Sequence, residues 1–302
     1  MHDFTYHFGF DEPAGNYQKN NYGKGGEGND WMYAISQDGA NTGFANNALF
    51  NYSIEGIPSV IRMFIFNRKK KFLAVDEPPS ITGKYETLLP TTGWGPGAHL
   101  TNVPVTGEVV LVNDGVEGPS TADACEDILN ASELAGKIAL VDRGGCQFGF
   151  KALQAQNAGA IAVIVCNYND ADFNMLGGPY GPSVNIPVVA IHLSDARVLR
   201  QYAGTGLQVT LVAVNLDSLP TLDSDLENYL IAHEYGHGVS NRLVGGPHII
   251  CLNNAEAMNE GWSDFLGLAT FVRPGDTGAA KKGFGTYVME DEPGEKGFRR
   301  YP

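Results

Sequence analysis

The stretch SDLENYLIAHEYGHGVSNRL, residues 224–243, governs the reading of this chain. Leu226, Leu230, His233 and His237 follow one another at helical spacing, so both histidines extend one inward-facing apolar stripe. Ser224 and Glu227 stand as the two halves of a capping box, which predicts a helix starting at Ser224. Gly245, Gly246 and Pro247 end it. Residues four apart on a helix project to one side, so His233 and His237 can offer two imidazole nitrogens to a single metal ion. Glu234 stands beside that ion, placed to take a proton from a water the metal has acidified.

Catalytic zinc carries three protein groups and leaves a position for water, so a third ligand is required. A second helix is expected over about Asn254–Val272, and within it NEGWSDF, residues 259–265, puts Glu260 and Asp264 on a common face. Glu260 is the candidate third ligand for one Zn2+ ion. Asp264 is placed to accept the spare ring N–H of a zinc histidine and fix its tautomer, and Asn259 to support the other histidine.

Working outward, the remaining chain is globular in character. Of 302 residues 43% are hydrophobic and 10% aromatic, enough for real cores and too apolar for a disordered chain. A formal charge of −14 argues against nucleic acid or an anionic membrane as the main partner, since both need a positive surface. No apolar run approaches the roughly 20 residues that cross a bilayer. The basic run Arg68–Lys71 reads as a solvated loop. Cys125, Cys146, Cys166 and Cys251 show no CxxC spacing, which argues against a cysteine zinc site or a thioredoxin-type motif.

Three regions are distinguishable. Residues 1–75 mix Gly- and Asn-rich loops with a strand at IRMFIF, residues 61–66. Near Asp76 the composition shifts to Pro and Gly, and over residues 76–217 short Val- and Ile-rich runs such as GEVVLV, KIALVDRG and AIAVIVCN alternate with helical patterns. That is the grammar of a small α/β domain, with a helix over Gln147–Ala158 that carries Phe150, Leu153 and Asn157 on one side and stops at Gly159. Residues 218–302 hold the two metal-site helices.

At HEYGHGVSNRLVGGP, CLNNAEAMNEGWSDF and HDFTYHFGFDEPAGNYQKNNYGKGGEGND the chain resembles the fungalysin family of secreted metallopeptidases, a branch of the thermolysin-like enzymes. Residues 123–165, DACEDILNASELAGKIALVDRGGCQFGFKALQAQNAGAIAVIV, look like a protease-associated domain. The resemblance implies an α+β fold in which a thermolysin-like catalytic core, here partial, is interrupted by a small α/β protease-associated domain. It implies that His233, His237 and Glu260 bind zinc, that Glu234 is the general base, and that the activity is endopeptidase cleavage of extracellular proteins or peptides. It further implies a Cys125–Cys146 disulfide, hence an oxidising, secreted setting, and an edge-strand role for Asn29 in holding substrate backbone.

Thermolysin-like enzymes also use a histidine well downstream of the third ligand to stabilise the oxyanion, and no histidine follows His248 here. Together with a start that lacks signal peptide and propeptide, this leads to the expectation of a fragment of a longer precursor. A zinc-stabilised module that binds proteins through the inserted domain is the rival reading. A two-metal aminopeptidase is a weaker one, since no second ligand cluster of comparable quality is visible in the sequence.

Overall fold

The computed structural model describes residues 1–115, 118–252, 258–280, 282–291 and 297–301. The chain forms two compact units: Met1–Lys69 with Leu219–Pro302, and Lys70–Ser218.

In the first unit a short helix, α1 (His2–Tyr6), is followed by strands β1 (Met32–Asp38), β2 (Ala48–Asn51) and β3 (Ser59–Phe66). β3 reads SVIRMFIF and buries Ser59, Ile61 and Met63 in alternation, the period-two pattern of a half-buried strand, with Phe64 and Phe66 buried as well toward its end. It is the centre of its sheet: β1 runs parallel to it, and β2 runs antiparallel with Ala48 opposite Met63 and Phe50 opposite Ile61.

The second unit continues with β4 (Leu73–Glu77), β5 (Gly83–Tyr85), β6 (Val105–Leu111), α2 (Ala131–Leu134), β7 (Ile138–Asp142), α3 (Phe148–Asn157), β8 (Ala162–Cys166), β9 (Val188–Ile191), α4 (Leu193–Arg200) and β10 (Gln208–Leu211). Its seven strands lie in the order β5-β4-β10-β6-β7-β8-β9, parallel from β6 to β9 and antiparallel at the β10 and β4 pairings. The continuous apolar runs of β7 and β8 follow from burial on both faces. Ala139, Val141, Val163 and Val165 join a core that includes Ala152 and Ala155 of α3. Ile138, Leu140, Ala162 and Ile164 join another that includes Ala196 and Leu199 of α4. The composition shift at Asp76 falls inside β4, whose pairing with β10 and β5 carries the second unit back to Lys70. Helix α3 also buries Lys151, a residue the apolar pattern did not single out, whereas Asn157 is exposed.

The chain re-enters the first unit at β11 (Leu222–Asp223), which pairs with β3, and continues into α5 (Asn228–Leu243), α6 (Met258–Ala269), β12 (Lys282–Phe284) and β13 (Arg299–Tyr301). Mixed α and β structure around sheet-rich cores is thus common to both units. Residues 253–257, which include the expected start of the second helix at Asn254, lie outside the described residues.

Candidate metal centre

Helix α5 starts later than the sequence pattern predicts. Ser224–Leu226 forms a 3-10 turn, and α5 begins at Asn228 with Glu227 as its own cap, the carboxylate accepting from the Tyr229 N–H at 3.3 Å. The Ser224 hydroxyl has no partner among the described residues, so no capping box forms. Because Leu226 precedes the helix, it leaves the stripe and is 66% exposed, while Leu230 and His233 face inward.

Two glycines inside the HEYGHG segment decide how closely α5 is approached. A Cβ on Gly236 would lie 2.9 Å from Ser263 Cα of α6, and one on Gly238 would lie 2.6 Å from the Phe50 ring of β2. Glycine in a helix interior costs roughly 0.5–1 kcal/mol relative to alanine. Here that cost is offset by contact with α6 on one side and β2 on the other. Tyr17 adds a hydroxyl bond to the Gly238 carbonyl at 3.0 Å. At the far end of α5 the Arg242 guanidinium is buried against Asp30, 2.8 Å away, and lies over the Tyr17 ring. Neither glycine drew notice in the sequence, because what each one admits comes from distant segments.

The close approach of α5 and α6 assembles the site. The imidazoles of His233 and His237 stand perpendicular, with ring centres 4.7 Å apart. The two oxygens of the Glu260 carboxylate reach one Nε2 each, at 3.2 Å for His233 and 3.6 Å for His237. Nδ1 of His233 lies 2.8 Å from Asp264 Oδ1, a buried bond that places the ring proton on Nδ1 and leaves the Nε2 lone pair facing Glu260. The Tyr229 hydroxyl donates to the Asp264 carbonyl at 2.8 Å and holds that part of α6 in register.

Asn259 does not reach His237. Its Oδ1 accepts from the Glu260 N–H at 3.0 Å, and His237 Nδ1 has no partner among the described residues. An asparagine in the first turn of a helix finds its nearest donor in the backbone, and α6 uses it there.

Glu234 is 5% exposed, with one carboxylate oxygen unpartnered among the described residues. Burial, helped by the nearby Glu260 charge and opposed by His233, pushes its carboxyl up to about 7. Burial, and then His233, lowers His237 to about 4, so its imidazole is neutral over the physiological range. One ligand atom from each of His233, Glu234 and His237 falls within 4.8 Å of the others. Glu260 stands outside that grouping, yet its carboxylate contacts both Nε2 atoms, and its 52% exposed side chain has room to adjust. Two imidazoles with their Nε2 atoms turned to one point, and a carboxylate at that point, are a donor set suited to zinc.

These groups border a cavity of about 430 Å3, walled by Asn46, Asn47, Ala48 and Phe50 on one side and by Phe284 near His233. The bordering strand is therefore β2. Asn29, expected in that role, lies instead in the irregular segment before β1, at a left-handed φ of 78°, its N–H bonded to the Lys19 carbonyl, beside a separate hollow lined by His2, Gln18 and Tyr22. Among the described residues β2 pairs with β3 alone, so its other edge is open toward the cavity. The signal missed was NNALFNYS, residues 46–53, a short alternating run close before β3.

In the second unit Cys125 and Cys146 form a disulfide with Cα atoms 5.7 Å apart, and Cys166 and Cys251 are free.

Proteins of known name match part of the chain. Extracellular metalloproteinase 1 of Phaeosphaeria nodorum is 44% identical over 88 residues, covering 28% of this chain and 14% of that protein. Extracellular metalloproteinase mep of Aspergillus flavus is 44% identical over 85 residues, 27% of this chain and 13% of its own length. The matches thus span about a seventh of those relatives. Among solved structures, an aminopeptidase from Aneurinibacillus sp. strain AM-1 overlays with a TM-score of 0.34 and 24% identity, over 59% of this chain and 35% of that one. The sequence profile of the fungalysin metallopeptidases (M36) matches residues 1–302, and the chain belongs to that family.

Proposed function

We propose that the chain is the zinc-binding portion of a secreted endopeptidase, with His233, His237 and Glu260 as the ligands of one zinc ion and Glu234 as general base. The observation that carries this reading is the convergence of both histidine Nε2 atoms on the Glu260 carboxylate, with the buried Glu234 carboxyl beside them. Zinc held there would supply Lewis acidity toward a peptide carbonyl and toward water. Asp264 keeps His233 in the tautomer that leaves Nε2 free to bind. With its carboxyl at about 7, Glu234 can accept a proton from water and return it to the leaving nitrogen near neutral pH. The open edge of β2 gives an extended peptide main-chain partners along the cavity, with Asn46 and Asn47 leading into that strand.

The second unit, Lys70–Ser218, is read as a protease-associated domain inserted between two catalytic segments, on the strength of its motif over residues 123–165 and its chain position. A disulfide fits an oxidising, extracellular setting, as does the word extracellular in the relatives' names. The test is proteolysis of an unfolded protein by the zinc-loaded gene product. Glu234→Gln retaining one zinc per chain but losing activity supports the reading; activity that survives both Glu234→Gln and a zinc chelator refutes it.

A further inference from the structure

We propose that Asp114, Asp123 and Glu126 of the second unit form a binding site for a hard divalent cation, calcium, beside the Cys125–Cys146 disulfide. One carboxylate oxygen from each residue lies within 4.8 Å of the others, the span of two oxygens on opposite sides of an ion held at about 2.4 Å. The arrangement is built. Asp123 is fully buried and Asp114 is 4% exposed. The Cys125 N–H donates to both, to Asp123 Oδ1 at 2.9 Å and to Asp114 Oδ2 at 3.1 Å, which pins the two side chains. Their remaining oxygens, Asp123 Oδ2 and Asp114 Oδ1, receive no hydrogen bond from a donor among the described residues, and the two carboxyls lie against each other. Buried oxygens on charged groups are rarely left so without an ion or ordered water. Gly145 leaves the space open, since a Cβ there would sit 2.7 Å from Asp123 Oδ2.

The competing explanation is that the buried Lys151 neutralises the cluster. Its Nζ instead bonds the Asp123 carbonyl and Cys125 Sγ and stands 3.8 Å from Asp123 Oδ1. The buried pair Asp114 and Asp123 therefore carries one more formal negative charge than this ammonium offsets. All-oxygen donors favour calcium or magnesium over zinc. A site of protein carboxylates with irregular spacing suits calcium, because magnesium demands near-octahedral geometry and keeps its waters.

The experiment is equilibrium dialysis of the full zinc-loaded chain, freed of calcium, against radioactive calcium, with thermal unfolding at matched concentrations. The expected result is one calcium per chain with a dissociation constant in the range of roughly 10 μM to 1 mM, and an unfolding temperature that rises with calcium but not with equimolar magnesium. Asp114→Asn and Glu126→Gln are each expected to weaken binding at least tenfold. Asp123→Asn disturbs the partner of a buried lysine, so wild-type binding and the other two variants decide the matter. No calcium bound by the wild type at about 5 mM, well above the weakest extracellular sites, overturns the proposal. Binding undiminished in both Asp114→Asn and Glu126→Gln also overturns it.

Discussion

Replacing Gly236 with alanine is the sharpest probe of how α5 and α6 make the site. The added Cβ would meet Ser263 Cα at 2.9 Å, and the Ser263 Oγ and Cβ at 3.1 and 3.3 Å. Carbon–carbon contacts relax at about 3.5–4.0 Å, so the shortfall against the Cα is roughly 0.6–1.1 Å. A backbone atom cannot rotate away, and α6 as a whole must shift. Such overpacking costs about 1–3 kcal/mol, against which alanine's better helix propensity returns about 0.8–1 kcal/mol. The expected net loss is about 1 kcal/mol, within a range of roughly 0–2 kcal/mol.

Gly261→Ala is the matched control on α6, since a Cβ at Gly261 meets nothing within 4 Å. There only propensity acts, and stability should rise by about 0.5–1 kcal/mol. Urea denaturation of the metal-free variants measures both signs. Because the shift moves Glu260 and Asp264 against His233, Gly236→Ala should also weaken zinc binding by roughly 10–100-fold in chelator competition. A Gly236→Ala chain as stable as wild type, with unchanged zinc affinity, refutes the packing reasoning.

Asp264→Ala should weaken zinc binding by about 10–100-fold, because His233 loses the partner that orients it; chelator competition reads this. Asp30→Ala should cost about 3–5 kcal/mol in urea denaturation, because it leaves the buried Arg242 guanidinium without its carboxylate. In metal-free protein two groups titrate with opposite signs. Glu234, raised from 4.5 to about 7, makes folding less favourable as pH climbs through that interval. His237, lowered from 6.5 to about 4, makes folding less favourable as pH drops from 6.5 toward 4. The difference between wild type and Glu234→Gln isolates the first, so the wild type should lose stability relative to the variant between pH 4.5 and 7, as followed by thermal unfolding.

Where residues act through local spacing, the sequence was informative. His233 and His237 share a face because they are four apart on one helix, and Glu260 and Asp264 repeat that relation on the next, so pairing two helices suffices to gather all four. The second unit was legible for a related reason: strands buried on both faces read as unbroken apolar runs. The misreadings concern properties decided by distant neighbours. Gly236 and Gly238 look like helix weaknesses until Ser263 and Phe50 are seen against them. Asn29 and Asn47 are both asparagines near a strand, and only strand order tells which one borders the cavity. Asn259 sits beside the site in sequence but is held by its own backbone. The Ser224 and Glu227 pair had the right spacing, yet the chain enters α5 through a 3-10 turn, which moves the cap to Glu227.

The proposed site holds zinc by two histidines and one carboxylate from facing helices. X-ray absorption at the zinc edge of the loaded chain tests it most directly. Two imidazole nitrogens at about 2.0–2.1 Å are expected, with the remaining donors oxygen, no sulfur near 2.3 Å, and an altered oxygen shell in Glu260→Ala. A sulfur shell, or a spectrum unchanged by both Glu260→Ala and His237→Ala, would contradict it.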